Sequence, residues 1–271
     1  MTRVAFMGDP GSYSHAAALA EGGPGAEPVS CPRFAEVFSA VAQGRADVGV
    51  VPVENSEAGP VGEVLDLLLG SALLVCAERV LPIRHALLAP AGRTLAGLRR
   101  VHSHPQALAQ CRAFIQAHGL EEVPEADTAT AARKMSEFRP HASAAIASPA
   151  AGVIYGLEVL ALGLETNPEN ATRFLTLGTS ARPWRGAAKT LIVFGLGKHP
   201  GDLVAALAAF GAQGLKVSHL QTRPRHRKSW ETVFFVAVEG RADEAPVQGA
   251  LAALSKQADL LRVLGSYPRV D

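Results

Sequence analysis

Cysteine is scarce in this chain. Cys31, Cys76 and Cys111 are odd in number, far apart and in no Cys-x-x-Cys pair. That leaves no disulfide framework, and reduced thiols fit a cytoplasmic protein. Net charge is missing too: 26 Lys+Arg stand against 25 Asp+Glu, which argues against nucleic-acid or membrane-surface partners held by bulk electrostatics. No apolar run is long. The longest, Leu67 to Ala77, is broken by Gly70 and Ser71 and flanked by Asp66 and Glu78, too short to cross a bilayer. The start, Met1 to Gly8, has too little apolar length for a signal peptide. His102 and His104 stand two apart, not at the i, i+4 spacing of helical metal ligands, so core or capping roles are expected and no metal site is read. What is present is apolar mass. With 48% hydrophobic residues in 271, one large domain or two moderate ones can bury a full core.

The first two thirds alternate short apolar runs with polar loops and helices. Val4-Ala5-Phe6-Met7 reads as a buried strand, followed by the glycine-bearing loop Gly8 to His15 and a helix from Ala16. Phe34, Val37, Phe38 and Val41 mark one helix face, which Gly44 ends. Val48-Gly49-Val50-Val51 is a strand buried on both sides and closed by Pro52. The loop Glu54-Asn55-Ser56 follows it, where open α/β sheets place ligands. Ser103-His104-Pro105-Gln106 reads as a capping box, with Leu108, Cys111 and Ile115 on the core face and Ser103, Gln106 and Gln110 on another. Asp127-Thr128 starts a further helix. Ala144 to Ala147 is a strand, and Ser148-Pro149 opens a helix reaching Tyr155. The grammar is that of a parallel, doubly wound domain with ligand-facing loops.

One stretch concentrates chemistry. Asn170-Ala171-Thr172-Arg173-Phe174 puts an amide, a hydroxyl and a guanidinium ahead of the strand Phe174-Leu175-Thr176-Leu177. A planar cation beside a hydroxyl suits a ligand with carboxylates and a leaving oxygen. Asn170-Ala171-Thr172 also matches a glycosylation acceptor, which matters only in a secreted chain.

After Arg182 to Gly186, read as a linker, the pattern changes. Strands at 190–194, 215–220, 232–238 and 260–264, with helices after Pro200-Gly201-Asp202 and around Val247, Leu251 and Leu254, give the order βαββαβ of the ferredoxin-like unit. Gly195-Leu196-Gly197 is not a dinucleotide fingerprint, because Pro200 holds the third glycine position. The basic loop Arg223 to Lys228 reads as a hairpin tip.

Taken together, Gly8-Asp9-Pro10-Gly11-Ser12-Tyr13-Ser14, Val51-Pro52-Val53-Glu54-Asn55-Ser56, Ser103-His104-Pro105-Gln106-Ala107-Leu108 with Gln110, and Thr172-Arg173-Phe174 resemble prephenate dehydratase over nearly the whole chain. The resemblance implies a catalytic domain over residues 1–180, of two subdomains with a cleft between them, akin to periplasmic binding proteins. It further implies a linker over 181–188 and an ACT regulatory domain over 189–271. Because the chain opens on the first strand, the monofunctional form is expected. The implied reaction turns prephenate into phenylpyruvate, carbon dioxide and water, driven by aromatisation and requiring no cofactor. Thr172 is expected at the leaving hydroxyl, Arg173 on a carboxylate or fixing the loop, and Phe174 as an apolar wall. Glu54, Asn55, Ser56, Ser103 and Gln110 match positions around the substrate, and Ser12, Thr128 and Asn170 join them as candidate contacts.

In the regulatory half, the family's Gly-Ala-Leu-Val and Glu-Ser-Arg-Pro become Gly201-Asp202-Leu203-Val204 and Gln221-Thr222-Arg223-Pro224. Asp202 would repel a bound carboxylate, and Gln221 lacks the charge to pair an ammonium. Phenylalanine is therefore expected to bind with weakened or altered effect. A homodimer or homotetramer is implied. Arogenate dehydratase is the nearest alternative; a non-catalytic amino-acid-sensing or solute-binding protein is the alternative of another class.

Overall fold

In the computed structural model, residues 1–197, 201–225 and 231–270 are described. Pro200 and the basic residues His226 to Lys228 lie outside them. The chain begins with β1 (Arg3–Met7), α1 (Tyr13–Gly22), β2 (Glu27–Cys31), α2 (Phe34–Ala42), β3 (Val48–Asn55), the short β4 (Gly59–Pro60), α3 (Gly62–Gly70) and β5 (Leu74–Pro82). It then crosses to a second lobe: β6 (Ala86–Ala89), β7 (Arg100–Ser103), α4 (Pro105–Gln110), α5 (Arg112–Ala117), β8 (Glu121–Pro124), α6 (Thr128–Phe138), β9 (Ser143–Ala147), α7 (Pro149–Tyr155) and β10 (Glu158–Leu162). β11 (Ala171–Gly178) returns to the first lobe.

Each lobe has its own mixed sheet, in the orders β2-β1-β3-β11-β5 and β10-β6-β9-β7-β8. The all-parallel strand direction expected for this region is therefore corrected. β11 runs antiparallel to both β3 and β5, and β6 antiparallel to β9 and β10. Local periodicity marks the strands, but their direction depends on which loops cross between lobes, and no short window carries that. The two crossings lie side by side: Ile83 N donates to Asn170 O at 2.8 Å, and Gly163 N to His85 O at 3.0 Å.

A second correction concerns Pro52, which does not end its strand. β3 runs on to Asn55, and Pro52 sits opposite Phe174, next to the register shift between Arg173 and Phe174. A bulge is where a strand tolerates a residue that cannot donate. Glu54 and Asn55 are thus strand residues whose side chains point to opposite faces.

The remaining chain forms β12 (Ala188–Leu196), α8 (Asp202–Gly211), β13 (Val217–Pro224), β14 (Thr232–Glu239), α9 (Ala245–Leu254) and β15 (Ala258–Pro268). The order is βαββαβ, in an antiparallel sheet β13-β14-β12-β15. Its helices cover one face over Ile192, Phe194, Phe210, Val236 and Leu254. The other face shares a core with the first lobe: Leu191, Val193, Phe235 and Tyr267 pack with Val51, Val53, Leu65 and Val75. Arg223 grips Asp66 of α3 with two bonds of 2.9 and 2.6 Å, and Arg262 donates to the terminal carbonyls of Leu68 and Leu69, favourable contacts with the negative end of α3. Gly265 touches the first lobe so closely that a Cβ there would lie 2.1 Å from Val75 O.

The three cysteines are free and buried, and burial pushes the Cys111 thiol up to about 12. Among the described residues, no helix is long and apolar enough to cross a membrane.

Candidate active site

The lobes enclose a cleft of about 340 Å³, within the range of small-molecule sites. Of the residues singled out in the sequence, Ser12, Asn55, Gln110, Thr128, Thr172 and Phe174 line it. They come from β3 and β11 of the first sheet, from the starts of α1 and α6 and from the end of α4 in the second lobe, more than a hundred residues apart in the chain. Asn55 and Thr172 face each other across the β3–β11 register, so both point to the same side of the sheet.

Asn55 organises the floor of the cleft. Its Oδ1 accepts from Ala58 N at 2.9 Å and Glu57 N at 3.2 Å, and from Gln106 Nε2 at 3.2 Å. Backbone N–H groups can only donate, so these bonds fix which end of the amide is oxygen. The nitrogen faces β11. There it donates to Asn170 Oδ1 at 2.8 Å, Ala171 O at 3.0 Å and Thr172 Oγ1 at 3.1 Å. Thr172 Oγ1 therefore receives a hydrogen bond from Asn55, and its own proton is free to point at whatever fills the cleft.

Asn170 is fully buried and supports Asn55 from behind the cleft. Ser56 pairs with the backbone of Ala171 in both directions. Ser103 lies elsewhere: it is buried and donates to Ile146 O at 2.6 Å. The capping box is corrected accordingly. The cap is His104, whose Nδ1 accepts from Gln106 N, because β7 includes Ser103 and the helix starts one residue later than the Ser-x-x-Gln spacing implies. His102 pairs with Glu125.

Glu54 and Arg173 are not brought to the cleft. Strand alternation turns both to the opposite face, against the third sheet. Arg173 Nη2 donates to Glu54 Oε2 at 2.7 Å and to His219 Nε2. Beside them, Lys189 bonds the buried Glu78 at 2.6 Å. Burial and the neighbouring Arg173 push the His219 pKa down, so the ring is held neutral and accepts from the guanidinium. In the third unit, Gln221 lines a small void with Arg173 and His219, and Arg223 holds Asp66. Thr222 is exposed on the opposite face. Gly201 precedes α8 at φ 91°, and Asp202, Leu203 and Val204 form its first turn, with Val204 exposed.

The cleft also contains groups that the sequence reading did not place there: Tyr13, His85 and His104, with Met7, Phe34, Pro52 and Ile83 as apolar wall. His85 is 1% exposed. It lies 3.1 Å from Tyr13 Oη and 3.0 Å from Gln110 Oε1. Burial lowers the pKa of His85 and of His104, and raises that of the Tyr13 phenol. The only signal for His85 in the sequence is the polar pair Arg84-His85 interrupting an otherwise apolar run. Among the described residues, no Lys or Arg lines the cleft. The starts of α1 and α6 do, through Ser12, Tyr13, Ser14, Asp127 and Thr128. The Ser12 and Asp127 side chains cap His15 N and Thr130 N. The earlier N–H groups of each first turn have no partner within the helix, and the helix dipole favours an anion there.

The family model for prephenate dehydratase matches residues 4–182. The chain is 37% identical over 270 residues to a bifunctional chorismate mutase/prephenate dehydratase of Stutzerimonas stutzeri, covering 98% of this chain and 73% of that protein. Among solved structures, prephenate dehydratase from Arthrobacter aurescens in complex with L-Phe superposes with a TM-score of 0.90 at 33% identity, over 98% of this chain and 90% of that one. GqqA, described as a novel type of quorum-quenching acylase, superposes at 0.89 with 35% identity, over 99% and 98%. A hydroxyl held by an amide between two lobes, the match of the family model across both of them, and relatives aligned over nearly the full chain lead to one assignment: the chain belongs to the prephenate dehydratase family.

Proposed function

We propose that the cleft binds prephenate and carries out its decarboxylating dehydration to phenylpyruvate, with the third unit acting as an ACT regulatory domain. The observation that carries the reading is Thr172 Oγ1 as acceptor from Asn55 Nδ2 at the floor of the cleft. With that lone pair engaged, the hydroxyl proton is directed at the ligand. In the reaction, the bond from the ring to its carboxylate breaks and its electron pair enters the ring. The C–O bond opposite breaks, and the hydroxide leaves as water after taking a proton. A Thr hydroxyl is a poor acid but a well-oriented donor, so Thr172 stabilises charge growing on the leaving oxygen.

A substrate carboxylate meets the start of α1, capped by the neutral Ser12, instead of a side-chain cation. Phe174, Ile83 and Pro52 offer an apolar wall for the ring. An acylase chemistry, as described for GqqA, would need a base to activate a nucleophile. The hydrogen-bond partner of Thr172 Oγ1 among the described residues is the amide of Asn55, which donates and cannot take a proton.

The test is direct ultraviolet detection of phenylpyruvate from prephenate, with arogenate assayed in parallel. Release of phenylpyruvate supports the reading. No turnover of either substrate rejects it, and turnover of arogenate alone assigns the alternative dehydratase.

The regulatory reading is supported by the βαββαβ sheet, by the shared core that joins it to the catalytic lobe, and by the L-Phe complex of the Arthrobacter relative. Phenylalanine is expected to bind more weakly or with altered response, because Asp202 sits in the first turn of α8 and Gln221 replaces an acid. Titrating phenylalanine against turnover decides it; strong inhibition at low micromolar concentrations contradicts the expected weakening. A homodimer or larger assembly through the third unit is part of the same proposal, and sedimentation of the purified chain tests it.

A further inference from the structure

A hydrogen-bond chain runs from the buried interior of the cleft to Thr172, and its direction can be deduced link by link. Glu57 N and Ala58 N fix Oδ1 of Asn55 as an acceptor, as argued above. Gln110 approaches that same oxygen at 3.4 Å, so it must present its NH₂ group there. Its Oε1 consequently faces His85 Nε2 at 3.0 Å. An amide oxygen only accepts, so Nε2 must carry a proton.

On the other side of the ring, Nδ1 faces Tyr13 Oη at 3.1 Å, while the phenol donates to Arg84 O at 2.6 Å. With that proton committed to Arg84 O, Nδ1 must donate to the phenol and the ring is charged; a neutral ring instead accepts the phenol's hydrogen bond at Nδ1, and Nε2 is protonated in both states. All links then point one way: His85 Nε2–H to Gln110, Gln110 Nε2–H to Asn55, Asn55 Nδ2–H to Thr172, and Thr172 O–H to the ligand. Bonds aligned head to tail polarise one another, so each strengthens the next, and the last is the one the reaction uses.

We infer that His85 is a positioning residue for the dehydration. Its Nε2–H fixes the Gln110 amide, and through Asn55 aims the Thr172 hydroxyl at the departing oxygen. His85 is suited to this by placement. It sits on the first crossing between the lobes, its backbone N is tied to Glu165 Oε2 at 2.8 Å, and its carbonyl receives Gly163 N from the second crossing. The ring is thus anchored to the segments that hold the lobes together, and it relays that position to the first lobe through Gln110 of the second. Burial dominates and disfavours a charged ring, against Gln110, Glu165 and Glu57, which favour one.

This inference rests on the dehydratase reading, and its test separates the two. His85→Leu removes the donor, and His85→Gln keeps an N–H at similar reach. Losing a direct donor to the reacting oxygen costs roughly a hundredfold. The indirect loss in H85L is expected to be about tenfold in kcat, with KM changed less than about threefold, and H85Q should recover most of it. On the wild-type chain, two-bond ¹H–¹⁵N correlation of His85 should show a protonated Nε2 at neutral pH. A folded H85L with wild-type kcat, or an H85Q no better than H85L, overturns the role. A bare Nε2 in the wild type overturns it even if H85L does not fold. If the wild type itself releases no phenylpyruvate while Nε2 is protonated, the dehydratase reading fails and the geometry of the chain stands.

Discussion

The strand pair β3–β11 has two faces, and they serve different parts of the molecule. One face carries Asn55, Thr172 and Phe174 into the cleft. The other carries Glu54 and Arg173 into a partly buried ion network against the third sheet, with His219, Glu78 and Lys189 close by. Glu54-Asn55 and Thr172-Arg173 are neighbours in sequence and opposites in space, because a strand alternates at every residue. The cleft face is neutral and depends on directed hydrogen bonds. The back face is charged and depends on paired ions, where removing one partner leaves the other uncompensated. A motif of adjacent residues can therefore line the cleft on one side and make inter-unit contact on the other without any side chain doing both.

The sharpest way to break this comparison is at Thr172. T172A should lower kcat about a hundredfold while leaving thermal stability and docking of the third unit unchanged. T172S should keep a large part of the activity, since only the hydroxyl is used. Steady-state kinetics and a melting curve on the same samples read both faces at once.

Next in size is Gly265→Val. With a Cβ placed 2.1 Å from Val75 O, backbone must move, and overpacking of this kind costs roughly 1–3 kcal/mol or more. Limited proteolysis should show the third unit released or loosened, and unaltered resistance would mean that Gly265 is not the tight contact described.

Arg173→Met tests the back face itself. It is expected to lower stability by about 3 kcal/mol, read by chemical denaturation, with kcat within a few-fold of wild type. A loss of kcat as large as that of T172A would mean that Arg173 reaches the substrate after all.

The smallest effect is a pH slope. Burial, followed by Arg173, holds the His219 pKa below its ordinary value, so between the two values the unfolded chain binds the extra proton. Stability is then complete above about pH 6.5, the ordinary histidine value, and falls with pH until the lowered folded value is reached. Removing the group in H219N should reduce the acid-side slope of unfolding free energy by up to about 1.4 kcal/mol per pH unit. An unchanged slope would show that His219 is not held neutral.

Much of this was legible in the sequence, and the failures have physical causes. The cleft residues Ser12, Asn55, Gln110, Thr128, Thr172 and Phe174 are legible through polar clusters beside helices and strands that together resemble the family's motifs. The resemblance alone puts Glu54 and Arg173 near the substrate, and with β3 taken to end at Pro52 nothing in the sequence opposes it. Once the bulge opposite Phe174 lets the strand continue, alternation sends them the other way. Ser103 was read as a cap because the box spacing fits, but the extra strand residue moves the cap to His104. His85 was passed over since its partners, Tyr13 and Gln110, come from both lobes. The βαββαβ order was readable from local periodicity, whereas its contact with α3 through Arg223 and Asp66 was not.

The central claim is that adjacent residues on β11 are divided between the two faces. The most direct measurement is a paired assay of T172A and R173M for turnover and for phenylalanine response, alongside stability. T172A is expected to be catalytically crippled but fully stable, and R173M to turn over nearly as wild type yet be destabilised and blunted in its response to phenylalanine. Equal catalytic loss in both variants, with no difference in stability, would contradict it.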